Sequence, residues 1–285
     1  MKILDDIIFN LHKLWLKTPV MKIFIPNWDE YSEIYTKQDL TSNYQSLFLE
    51  ALIIKQIDYL INILNFFCID SNYEIKLTKQ YIKDLNELMW LKENEEIKKY
   101  IKFNIFYGKF IEFLISDFFR LQNYQIINMQ AWDINSPDIV IKKDGKIVNI
   151  EVKWVPQYKE SFEKQLKGKT NFFLNTTSAH RHLILDKILP TIHQLKNKKN
   201  LDEDSVAIIV IDEKSIAAYF LDQETMLKRK TICYSIEKEV IKYQEDIYKI
   251  SELDKVMIFS AGALTIKHWY TFDIKNKRFY NIQKT

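Results

Sequence analysis

The sequence predicts an α/β fold of the α+β kind: helices first, then a strand-rich core, then further strands. Three observations carry this. Apolar residues recur at helical spacing through the first hundred positions, the period changes near Tyr124, and Asp144-Gly145 sits between two alternating segments. The domain reading is a helical region over residues 1–100, followed by a core with a C-terminal strand extension over 101–285.

The elements follow in order. Leu47, Leu49, Leu52, Ile53, Ile57, Leu60, Leu64 and Phe67 mark a helix over Ser46–Phe67, with others expected at Ile75–Leu91 and Ile97–Leu121. Pro19 and Pro26 punctuate an irregular stretch after the first helix. In the third of these helices, Phe103, Phe106, Phe110, Phe113, Phe118 and Phe119 read as core packing. Tyr124–Trp132, Asp138–Lys143 and Lys146–Trp154 are rich in Ile, Val and aromatics, so they read as strands. Asp144-Gly145 makes the last two a hairpin, because a two-residue turn of this kind needs positive φ. A lysine-rich helix near Tyr158–Leu166, a polar loop and a helix from His180 to Leu195 come next. Val206–Ile211 is apolar throughout and reads as a strand buried on both faces. From Ile216 the chain is strand-like, with one helix near Glu237–Tyr248.

Composition excludes several classes. Only 4 Gly and 5 Pro in 285 residues rule out collagen-like and linker-rich chains. Two cysteines give neither a disulfide framework nor a metal-binding spacing, which fits a reducing cytoplasm. The apolar start is interrupted by Asp5 and Asp6, unlike a signal peptide, and no run is long enough to span a membrane. The net charge of +3 is unevenly spread. Residues 1–100 carry 12 Lys against 15 acids, whereas Lys142–Lys169 carries 8 Lys against 4. A basic strip on a near-neutral chain suits a polyanion-binding face or a solvated lysine-rich surface, and charge alone favours the second.

Chemistry concentrates on the hairpin. Asp138 opens one strand directly after Pro137, and Glu151-Val152-Lys153 lies in the next. Residues two apart in a strand share a face, so Glu151 and Lys153 point together and Val152 points away. With Asp144-Gly145 as the turn, paired residue numbers total about 289, which sets Asp138 opposite Glu151. Facing carboxylates repel unless a cation lies between them, and hard divalent cations prefer oxygen ligands. Glu112 lies four residues after Gly108 on the helix before the first strand.

Pro137-Asp138, then twelve residues, then Glu151-Val152-Lys153, with Gly108-Lys109-Phe110-Ile111-Glu112 upstream, resembles the PD-(D/E)xK nuclease superfamily. The resemblance spans about Phe103–Ile211. It implies a restriction-endonuclease-like core around a central mixed sheet. It also implies hydrolysis of DNA phosphodiester bonds with Mg²⁺, for which Mn²⁺ substitutes. The metal ligands implied are Asp138, Glu151, the Val152 carbonyl and Glu112, with Lys153 positioning or activating the attacking water. Several lineages add a glutamine on the next helix; Gln157 and Gln165 are both available, and helix placement favours Gln165. Lys159, Lys164, Lys167 and Lys169 are candidate phosphate contacts. Asn175, His180 and Arg181 are candidate base or backbone contacts. The expected kind is a type II restriction endonuclease or related phage-defence nuclease. It would act on double-stranded DNA as a homodimer, because a duplex needs two cuts. The alternatives are a structure-specific repair or recombination nuclease, an RNase, and a catalytically inert nucleic-acid-binding subunit.

Overall fold

The structure, a computed structural model, describes residues 2–24, 26–29, 57–67, 95–129, 137–155, 188, 191–192, 195, 203–212, 244–261 and 266–282. The chain divides into two compact units. One contains residues 1–121 with 129–133 and 263–265; the other contains 122–128, 134–262 and 266–285.

The first unit is helical. Helix α1 spans Lys2–Lys17, α2 Pro19–Phe24, α3 Ile57–Phe67 and α4 Glu95–Leu121. The stretch after α1 is more regular than its prolines suggest. Thr18 closes α1 through bonds from its amide and hydroxyl to the Leu14 carbonyl, at 3.0 and 2.6 Å. Pro19 then starts α2, a position where its missing N–H costs no helical bond. Leu11 and Leu14 of α1, Val20 and Met21 of α2, and Leu60 and Leu64 of α3 are buried. On α4, Phe110, Phe113 and Phe119 are buried, as the phenylalanine spacing predicts. A polar tie joins α3 to α4: the Tyr59 hydroxyl donates to Asp117 Oδ2 at 2.7 Å. Arg120 donates to the other Asp117 oxygen through two nitrogens, at 2.6 and 2.9 Å. Buried Asp117 is thereby satisfied, as a charge taken out of water must be.

The second unit is built on a mixed seven-stranded sheet in sequential order, β1 to β7. The strands are β1 Gln125–Met129, β2 Ile139–Lys143, β3 Lys146–Val155, β4 Glu203–Asp212, β5 Lys255–Ala261, β6 Ile266–Asp273 and β7 Arg278–Asn281. A short helix, α5 Gln244–Tyr248, precedes β5. β2 and β3 are antiparallel, β4 runs parallel to both β3 and β5, and β6 and β7 return antiparallel. The α/β expectation therefore holds at the level of class.

Burial explains the placement of β4. Val206 to Val210 are all buried, so a continuous apolar run occupies the sheet centre with neighbours on both edges. Ala207 and Ile209 of β4, Val256 and Ile258 of β5, and Tyr270 and Phe272 of β6 form one apolar cluster. Ile188, Ile192 and Leu195 on helical turns after the hairpin join it, as does Ile247 of α5. A register shift between Ile258 and Phe259 makes a bulge in the β5–β6 pairing. Among the described residues no helix is long and apolar enough to cross a membrane.

Candidate metal centre on the β2–β3 hairpin

The hairpin turn has the backbone its sequence demands. Asp144 and Gly145 both have positive φ, 51° and 81°, the combination that lets two residues reverse a twisted ribbon. The ladder runs from Lys143↔Lys146 to Ile139↔Ile150. Extended by one residue, this register sets Asp138 against Glu151, as the turn predicts. Ile139, Ile141 and Ile150 are essentially fully buried and pin that register, since a slip of one would turn them to solvent.

Asp138 does not simply face Glu151. Its Oδ2 accepts a 2.8 Å hydrogen bond from the Val152 amide. In an antiparallel ladder with a two-residue turn, alternate pairs exchange both backbone bonds, and the next such pair after Ile139↔Ile150 is Pro137 with Val152. Proline has no N–H to donate. The Val152 carbonyl thus receives no ladder bond from position 137, while its amide donates to the Asp138 side chain.

Glu151 is fully buried. Its Oε1 accepts from Lys153 Nζ at 2.5 Å, while its Oε2 has no hydrogen-bond partner among the described residues. The parallel register puts Glu151 beside Ala207 and Lys153 beside Ile209, so the carboxylate stands on the apolar face of the sheet. Burial, and then the charge of Asp138, push the Glu151 carboxyl up to about 7, against the opposing pull of Lys153. Lys153 keeps about a quarter of its side chain exposed and so bridges the buried carboxylate to solvent.

These residues suit a hard divalent cation. Glu151 Oε2 is a buried oxygen without a donor, a costly state that a cation would relieve. Asp138 offers a second carboxylate, and the Val152 carbonyl is left over by the ladder. The described residues gather two acidic side chains here and not three. Water and substrate oxygens would then complete the coordination, as Mg²⁺ ordinarily allows.

Glu112 belongs to the helical unit. It lies on α4, where its carboxylate is paired with the buried amine of Lys109 one turn earlier. Gln157, Gln165, Lys159, Lys164, Lys167, Lys169, Asn175, His180 and Arg181 lie outside the described residues. Two contacts of the candidate residues were not read from the sequence. The Val152 amide, as opposed to its carbonyl, had no signal beyond Pro137-Asp138 itself. The Lys109–Glu112 pairing was signalled by its spacing of three on a helix.

No family model, no curated protein and no solved structure matches the chain.

Proposed function

We propose that the chain is a Mg²⁺-dependent endodeoxyribonuclease of the PD-(D/E)xK kind, acting in sequence-specific restriction or phage defence. The observation that supports this most is the pairing of Asp138 with a buried Glu151 whose second oxygen lacks a partner, beside Lys153 on the same carboxylate.

In this reading Asp138, Glu151 and the Val152 carbonyl hold the cation, which when bound supplies electrophilic stabilisation of a phosphodiester and a lowered pKa for water. The remaining chemistry falls to the chain. Asp138 is held by the Val152 amide, so one of its oxygens is fixed and the other is directed. Lys153 holds its partly exposed amine beside the buried Glu151, where its charge counters that gathering on the phosphoryl oxygens as water attacks phosphorus and the P–O bond breaks. The products are a phosphate monoester and an alcohol.

The test is incubation of the whole chain with mixed-sequence duplex DNA and Mg²⁺, followed by sequencing of the ends, with Asp138→Ala as control. Discrete ends at one short motif, absent in the variant, are expected. Cutting only at branched substrates would make it a structure-specific repair nuclease, and cutting of RNA alone an RNase. Binding without metal-dependent cutting would make it a nucleic-acid-binding subunit, and no binding or cutting would end the nuclease reading.

A further inference from the structure

With both carboxyls ionised, the described cluster of Asp138, Glu151 and Lys153 carries two negative charges and one positive. One oxygen of Glu151 is satisfied by Lys153 and the other has no hydrogen-bond partner among the described residues, although the residue is wholly buried. A short, charge-assisted bond of this kind is among the stronger polar contacts a protein makes. It sits on the very carboxylate that a cation would use.

We infer, on the premise that the hairpin takes a divalent cation, that Lys153 is the resident counter-ion of Glu151 and competes with the incoming metal for it. The ammonium keeps the metal-free protein folded around a buried carboxylate. It also weakens metal binding, because a positive charge a few ångströms away opposes a second one. When the site fills, Lys153 gives up part of its hold on Glu151, and its amine becomes available to the phosphodiester. Metal occupancy and the availability of the lysine are thus coupled through a shared carboxylate, and linkage makes the coupling reciprocal. Metal affinity is held below what two carboxylates alone would give, in return for a lysine that is released only at a loaded site. Lys153 also has room for this exchange, since its side chain reaches partly into solvent while Glu151 does not.

The test needs no nucleic acid and no activity. Mn²⁺ is titrated under nitrogen at pH 8 into the whole chain, and the EPR signal of the free ion is followed for wild type, Lys153→Met, Lys153→Arg and Glu151→Gln. Lys153→Met is expected to bind Mn²⁺ roughly tenfold more tightly than wild type, as loss of a nearby like charge requires. Lys153→Arg keeps the charge and should stay within about threefold of wild type. Glu151→Gln should abolish the site. Equal or weaker binding by folded Lys153→Met, with wild type binding normally, overturns the competition and leaves the metal reading intact. Absence of binding in wild type and both lysine variants overturns the two together. Should Lys153→Met fail to fold, Lys153→Gln, which keeps a polar end at the exposed position, provides the same comparison.

Discussion

Asp138 and Val152 are joined by a 2.8 Å hydrogen bond in which the backbone amide of β3 donates to the side chain just ahead of β2. The carboxylate thus does two things, holding the open end of the hairpin and standing beside Glu151. The two roles separate by substitution. Asp138→Ala leaves the buried Val152 amide without an acceptor and should lower unfolding free energy by about 1–2 kcal/mol. Asp138→Asn keeps an acceptor but loses the charge, and should stay within about 0.5 kcal/mol of wild type. Urea unfolding of the two variants reads the first role, and DNA cleavage, expected to be lost in both, reads the second. An Asn variant that cuts at the wild-type rate would remove Asp138 from the metal centre.

Much of this hairpin was legible because its determinants are local. Two residues that accept positive φ fix the turn, and Ile139, Ile141 and Ile150 fix the faces, so the register followed from counting. The Asp138–Val152 bond was hidden for a different reason: a side chain takes a backbone amide at the end of the ladder, which neither turn counting nor strand periodicity reaches. The centre of the sheet was readable as β4, since its apolar run tolerates only a position covered on both faces. The β5–β6 bulge was not, because it arises from fitting two strands together and leaves no residue pattern of its own. Helix α4 was visible in its spacing, but its membership of the helical unit is a matter of long-range packing, to which periodicity is blind.

Glu151 makes the metal-free protein sensitive to pH in a definite direction. Its carboxyl is raised from the ordinary 4.5 to about 7, by burial and then by Asp138. Between those values the folded state holds a proton that the unfolded state has lost. This contribution to stability is therefore complete below about pH 4.5 and is lost as pH rises through 7. In the absence of divalent metal, Glu151→Gln should remove that dependence. The stability difference, variant minus wild type, should grow by about 2–3 kcal/mol between pH 4.5 and 8, as the linkage slope gives. Thermal unfolding in chelator at a series of pH values measures it, and parallel curves for the two proteins would contradict it.

Pro137 supplies a prediction of the opposite kind, in which the fold improves and the site worsens. Pro137→Ala restores an N–H opposite the Val152 carbonyl and lets the ladder extend by one pair. The gain of a backbone bond is worth about 0.5–1.5 kcal/mol, offset in part by the greater freedom of the unfolded chain. The same bond occupies a carbonyl that the metal centre is proposed to use. Weaker Mn²⁺ binding with stability at or above that of wild type is the expected pair of results. Unchanged Mn²⁺ affinity would show that the Val152 carbonyl takes no part.

His268 works against Glu151 on the acid side of the stability profile. It stacks on Phe259 across the β5–β6 pairing, with centroids 4.6 Å apart and planes 9° from parallel. Its Nε2 lies 2.7 Å from the Thr271 hydroxyl and 3.1 Å from the Tyr270 carbonyl. Burial lowers its pKa from 6.5 to about 4, with the Tyr270 carbonyl opposing. Folding with a neutral ring costs nothing above about pH 6.5. Below that the unfolded chain gains a proton that the folded chain refuses, so stability falls as pH drops towards 4. The loss should reach about 2 kcal/mol, allowing for the partial exposure of the ring. His268→Gln, which cannot titrate, should be less stable than wild type at pH 7.5 through loss of the stacked ring, and should close most of that gap by pH 4.5. A gap that stays constant across this range, measured by urea unfolding, would mean that His268 titrates alike in both states.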